Sequence, residues 1–337
     1  MGLDVPAELA PHGPGSSAPP RRRGSIRRTS TIDATWSDGM GGETVLDGRA
    51  RDLVTSADGT ASVVAEARMR VVLDPRRLIT EISTTPELPL LEGLLGHSGM
   101  GGHRARLAEA AASEVSAATP LHLLLDDLPG ATLVSGAAFR PWYGIERYLA
   151  GKEDVRRRVM AGVCAGYQEG SSALAPDGTL RWEQRRERAV ELDAVDDDLA
   201  WHEVADHRDV SMRRARRLDL WASGAAVHID AFFQDSSTLP EGGRQAIHEY
   251  VLSAEADATH FALRSVRPLP RVLPYHECPL AVPHTSRLIG APLGELRPRV
   301  LGELSGIVGC THLNDMLRSL ADAPALATTL GSFTDLW

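Results

Sequence analysis

Cys310, His312 and Asp315 crowd one short stretch, Ile307-Val308-Gly309-Cys310-Thr311-His312-Leu313-Asn314-Asp315-Met316-Leu317. Gly309 can end one element, and the residues from Thr311 read as the opening of a helix. Thr311 or Asn314 is a candidate cap, and Leu313, Met316 and Leu317 form the apolar stripe. On such a helix His312 and Asp315 share a face.

Three chemistries suit these residue types. The first is acid/base catalysis by His312, oriented by Asp315 or Asp230, because an imidazole titrates close to neutral pH. Its bland alternative is a histidine that caps a helix or bonds within the core. The second is a metal site of Cys278, Cys310 and His312, with His276, His284 or Asp315 completing the set. Zinc takes four ligands, or three and a water, but no separated Cys-x-x-Cys pair supports it here. The third is nucleophilic attack by Cys310 beside His312, where exposed helix N-terminal amides would favour a thiolate. Against it, cysteine is a common small core residue. Arg217 is a further candidate, with Arg216 and His228 behind it. An inward arginine suits a carboxylate or phenolate, although an ion pair with Asp230 or Asp235 is the stronger expectation. Trp221, Phe232 and Phe233 are explained better by core packing than by a pocket.

Other classes are disfavoured. No Gly-x-Gly-x-x-Gly lies between a strand and a helix, and no phosphate-loop lysine, Gly-x-Ser-x-Gly or His-Glu-x-x-His occurs. No nucleotide cofactor is expected. The net charge of -9 argues against a nucleic-acid partner. No apolar run reaches the roughly 18 residues of a membrane span. Three cysteines do not make a secreted disulfide framework, and Met1 to Pro20 does not read as a signal peptide. A cytoplasmic protein is expected. Its oligomeric state is open, with a homodimer one option.

Elements that position these residues follow from periodicity. Residues 1–27 are rich in Pro, Gly, Ser and Arg and are expected to be a disordered tail. Strands are expected at Thr29–Trp36, Thr44–Thr55, Ala61–Leu73 and Arg77–Thr84, followed by helices at Arg104–Val115 and from Thr119. Strands return at Arg213–Trp221, Ala225–Asp235, Ala246–Ala256 and Thr259–Pro268, then helices at Leu296–Ile307 and from Thr311. Between the two runs, residues 137–210 read as a helical and charged insertion. Its acidic block, Asp193, Asp196, Asp197 and Asp198, reads as a solvated loop.

The two runs align with each other. Asp47 with Asp230, Asp52 with Asp235, and Asp74 with Asp257 are each 183 residues apart. Upstream, Arg28 aligns with Arg217, and downstream His122 aligns with His312. The fold expected is therefore α+β. It has duplicated antiparallel strand-rich units over 28–136 and 211–322, each followed by helices, with the insertion between them and a tail at 323–337.

The second run resembles a bacterial family of unknown function, DUF2889, over roughly Arg213 to Leu320. The resemblance rests on Arg216-Arg217, Ile229-Asp230-Ala231 with Gln234-Asp235, Ile247-His248-Glu249, Pro274-Tyr275 with Cys278-Pro279, and Gly309-Cys310-Thr311-His312-Leu313. The first run looks like a divergent copy without the cysteine motifs. The family implies no agreed activity, so the functional expectation comes from the residues. It is an enzyme on a small organic substrate using His312-centred acid/base chemistry of lyase, isomerase or hydrolase type. A noncatalytic small-molecule binding or scaffold protein is the alternative, and a structural zinc protein the third.

Overall fold

The computed structural model describes residues 2–15, 18–192 and 196–333. Asp193 of the acidic block, Met1, Ser16 and Ser17 of the N-terminal segment, and residues 334–337 of the C-terminal one lie outside them. Among the described residues, nine strands build one antiparallel sheet: β1 (Ser25–Thr35), β2 (Thr44–Thr55), β3 (Ala61–Leu73), β4 (Ile79–Thr85), β5 (Glu187–Arg188), β6 (Ser211–Ser223), β7 (Ala226–Thr238), β8 (Arg244–Asp257) and β9 (Leu263–Val272). Their order is β4-β3-β2-β1-β6-β7-β8, with β9 and the short β5 sharing the outer edge of β8. The strand units β1–β4 and β6–β9 are each followed by helices. The architecture is α+β and consistent with an internal duplication. Of the two arrangements open to duplicated units, face on face or edge to edge, the chain uses the edge: β1 pairs with β6 along its whole length.

The helices are α1 (His103–Ala110), α2 (Ala112–Ala117), α3 (Pro120–Ser135), α4 (Phe139–Leu149), α5 (Glu153–Arg156), α6 (Leu296–Glu303), α7 (Thr311–Ser319) and α8 (Ala323–Gly331). None is long and apolar enough to cross a membrane. Alternation along the strands sorts side chains onto two faces. One face, carrying Ile26, Leu218, Ile229 and Phe233, packs into the larger core with α7 and α8. On the other, Ala215 and Phe232 meet Trp201 and Ala200 of the insertion. That insertion opens with helices but is mostly irregular from residue 157 to 210. The N-terminal boundary also shifts. β1 begins at Ser25, and the preceding segment is bound to the fold, with Arg21 paired to Asp197 and His12 N donating to Pro270 O.

Buried arginines tie the two units together. Arg28 on β1 donates to Asp52 on β2 at 2.7 and 2.6 Å and to Asp322 beside α8 at 2.9 Å. Arg216 on β6 reaches back to Asp127 on α3, and Arg318 on α7 grips Asp126 on α3 at 2.7 and 2.9 Å. An unpaired charge at such depth costs several kcal/mol, so the guanidinium forks and carboxylates fix how helices sit on the sheet. Gly130 on α3 makes room for this network, because a Cβ there would lie 1.8 Å from Arg214 Nη1.

Candidate active-site cavity

Near its C-terminal end, β7 carries Asp235 on its helix-facing side, fully buried. Directly across the ladder stands His248 on β8, and the pairing slips at that point, between Asp235 and Ser236. Such a bulge bends a strand and re-aims its side chains. His312, in the first turn of α7, lies over the same spot. The His248 and His312 rings stack with centroids 3.4 Å apart and planes 15° from parallel. His248 Nδ1 lies 3.3 Å and His312 Nε2 3.8 Å from Asp235 Oδ2, and neither nitrogen has a hydrogen-bond partner. The side chains retain only 11% and 14% of their accessibility, so two orphaned ring nitrogens point at one buried carboxylate.

Electrostatics set the protonation states. Burial opposes ionisation of Asp235, but Arg214, donating to both oxygens at 2.9 and 3.1 Å, overrides it and holds the carboxyl well below the usual range. Burial pushes His312 well below its ordinary value, and the neighbouring His248 and Arg214 add to the effect. Burial also lowers His248, opposed by Asp235. Both imidazoles are therefore neutral at pH 7, each with a lone pair to offer.

The pair opens on a cavity of about 280 Å³ between α3, the insertion and the second unit. Its walls are largely apolar, with Val134, Ile247 and Met160 beside the rings of Tyr148, Tyr167 and Trp182. Polar groups are few. Arg140 bonds Gln184 and the Trp182 carbonyl, and Tyr275 accepts from Gln184 at 3.2 Å. A larger groove of about 370 Å³ crosses the first unit at Arg49, Arg68 and Arg70. It is shallower, and its Arg70 is spent on Asp47, 3.1 Å away. No convergent pair of neutral donors faces it.

The expected site residues separate. His312 and Cys310 line the cavity, with Cys310 Sγ 4.0 Å from His312 Nδ1. Burial pushes the Cys310 thiol up despite the amides of His312 and Leu313, which runs against the expected thiolate. Neither expected cap forms at α7. Cys310 occupies that position without a capping side-chain bond, and Asn314 Nδ2 donates to Leu304 O at 2.6 Å. Asp315 does not orient His312. It is held by Arg214 at 2.9 Å and Arg104 at 2.8 Å, and reaches the histidines only through Arg214 and Asp235. Asp230 and Arg217 pair with each other on the opposite face of the sheet, as two-residue alternation from Asp235 and Arg214 requires. The carboxylate nearest the His312 ring is Asp235, 3.8 Å from Nε2.

Cys278 lines the cavity, but the expected metal trio of Cys278, Cys310 and His312 does not assemble. Among the described residues, the one group of three whose ligand atoms lie within 4.8 Å of one another is Asp235, His248 and His312, which could hold a metal ion. His248 was not a sequence candidate, because one histidine in an alternating strand carries no sign of its cross-strand neighbour.

Residues 212–326 match a family described as a protein of unknown function, DUF2889. The match is partial. It spans β6 to β9 and the helices through the first turn of α8, and so contains Asp235, His248 and His312. No curated protein and no solved structure matches the chain.

Proposed function

We propose that the protein binds a small organic molecule in the cavity over His248 and His312. The observation that carries this is a largely apolar, ring-lined cavity that has the two stacked imidazoles of His248 and His312 in its wall. Apolar walls supply affinity through burial, and a few convergent polar groups fix orientation. The occupant this favours has a flat apolar body and one acidic or hydroxyl group that meets the imidazoles or Arg140. Three unpaired cysteines, Cys164, Cys278 and Cys310, fit a reducing cytoplasmic setting.

Turnover is the second reading, favoured by the pairing of neutral His312 with ionised Asp235. A neutral imidazole can take a proton from a bound molecule, and the carboxylate stabilises the imidazolium that results. This would serve a lyase, isomerase or hydrolase step without a nucleotide.

A panel of aromatic acids, phenols and small heteroaromatics, screened by thermal shift and then by calorimetry, tests the reading. At least one compound class should stabilise the wild type. His312→Ala should bind it at least about tenfold more weakly, a loss of about 1.4 kcal/mol, and Ala137→Phe should abolish binding by filling the cavity. If nothing in the panel binds, or both variants bind like the wild type, the reading fails.

A further inference from the structure

We propose that Asp235, His248 and His312 form a binding site for one divalent transition-metal ion of the zinc, cobalt or iron type, with its open coordination positions facing the cavity. The argument begins with the unmet nitrogens. His248 Nδ1 and His312 Nε2 are both buried and both lack a hydrogen-bond partner, although each lies within 3.8 Å of Asp235 Oδ2. Buried polar atoms left without partners are rare in folded proteins and ask for a cause. A cation placed among the three groups supplies it, since all their ligand atoms fall within 4.8 Å of one another.

The donor set names the class of ion. Two imidazole nitrogens and one carboxylate oxygen suit borderline metals such as zinc and iron, whereas magnesium and calcium prefer all-oxygen sites. Three protein ligands leave one or more positions free, and the two histidines that would hold the ion line the cavity. The supporting shell is already in place. Arg214 orients Asp235 through two bonds and is itself held by Asp315, so the carboxylate is fixed before any ion arrives. The rings, now nearly parallel, must splay for their lone pairs to converge.

The inference goes beyond the organic-ligand reading and does not depend on it, because the ion is titrated with no organic probe present. The experiment uses the untagged full chain, stripped with a chelator and dialysed. Cobalt(II) is added while its visible absorption is followed, and zinc stoichiometry is read by elemental analysis. One equivalent per chain is expected in the wild type. His248→Ala and His312→Ala should each bind at least about tenfold more weakly, while Cys278→Ser and Cys310→Ser should bind like the wild type. Alanine at position 248 has a precedent, since Ala65 occupies the corresponding place across from Asp52, and circular dichroism checks that each variant is folded. Absence of stoichiometric binding in the wild type overturns the proposal. So does unchanged binding in both histidine variants, or loss confined to the cysteine variants.

Discussion

Across β1 and β2, Arg28 faces Asp52, and Asp52 faces Ala65 on β3. Across β6 and β7, Arg214 faces Asp235, and Asp235 faces His248 on β8. The ladder slips just after the aspartate in both units, between Asp52 and Leu53 and between Asp235 and Ser236. Each arginine donates to both aspartate oxygens and spends its remaining nitrogen on a helix-side aspartate, Asp322 in one case and Asp315 in the other. The frame is therefore common to both units and structural. What differs is the residue across the bulge, and the cavity beside it. A second imidazole, walled by the insertion and α3, turns a buried ion pair into a candidate site. The first unit keeps His122, whose Nδ1 is also unpartnered, but has alanine where the second histidine would stand.

The largest effects should test what the units share. Arg28→Ala and Arg214→Ala each strand buried carboxylates and should each cost about 3–5 kcal/mol in urea unfolding. If one variant loses less than about a third of what the other does, the frame is not common to both.

The shared histidines give a pH test. Burial, reinforced by Arg297, lowers His122 to about 4 from an ordinary 6.5. Below pH 6.5 the unfolded chain binds this proton and the folded chain does not, so stability falls as pH drops toward 4 and the loss ends there. This one group accounts for up to about 3 kcal/mol over that window. The stability–pH slope of His122→Gln should be shallower than that of the wild type by about one proton between pH 4.5 and 6. An unchanged slope would mean His122 titrates normally.

Cysteine distinguishes the second unit in sequence but should not distinguish it in reactivity. Burial pushes Cys164 up to about 12 and Cys278 and Cys310 upward as well. Alkylation of all three in the native protein at pH 8 should be at least about tenfold slower than in urea. One fast native thiol would restore the nucleophile. The smallest effect concerns the residue in which the units differ. His248→Ala should change stability by less than about 1.5 kcal/mol, since the first unit already carries alanine there. A larger loss would make His248 part of the structural frame.

Much of the scaffold was legible. The 183-residue spacing of Asp52 and Asp235 comes from equivalent ladder positions in two β units. Alignment by residue type placed Arg28 on Arg217, whereas the ladder places it on Arg214, because the arginine-rich β6 offers four alternatives from Arg213 to Arg217. The site was half legible. His312 and Cys310 stand where a helix start presents them. Asp230 was separable from Asp235 by alternation alone, since an odd spacing puts them on opposite faces. His248 was not legible, because its partners lie one strand and one helix away, and a bulge rather than a motif brings them together.

The central claim is that the second unit carries the site and the first supports it. Calorimetric binding of the tightest panel compound to wild type, His312→Ala and His122→Ala tests it most directly. Binding lost in His312→Ala and retained in His122→Ala is the predicted result. Equal weakening in both, or in neither, would contradict it.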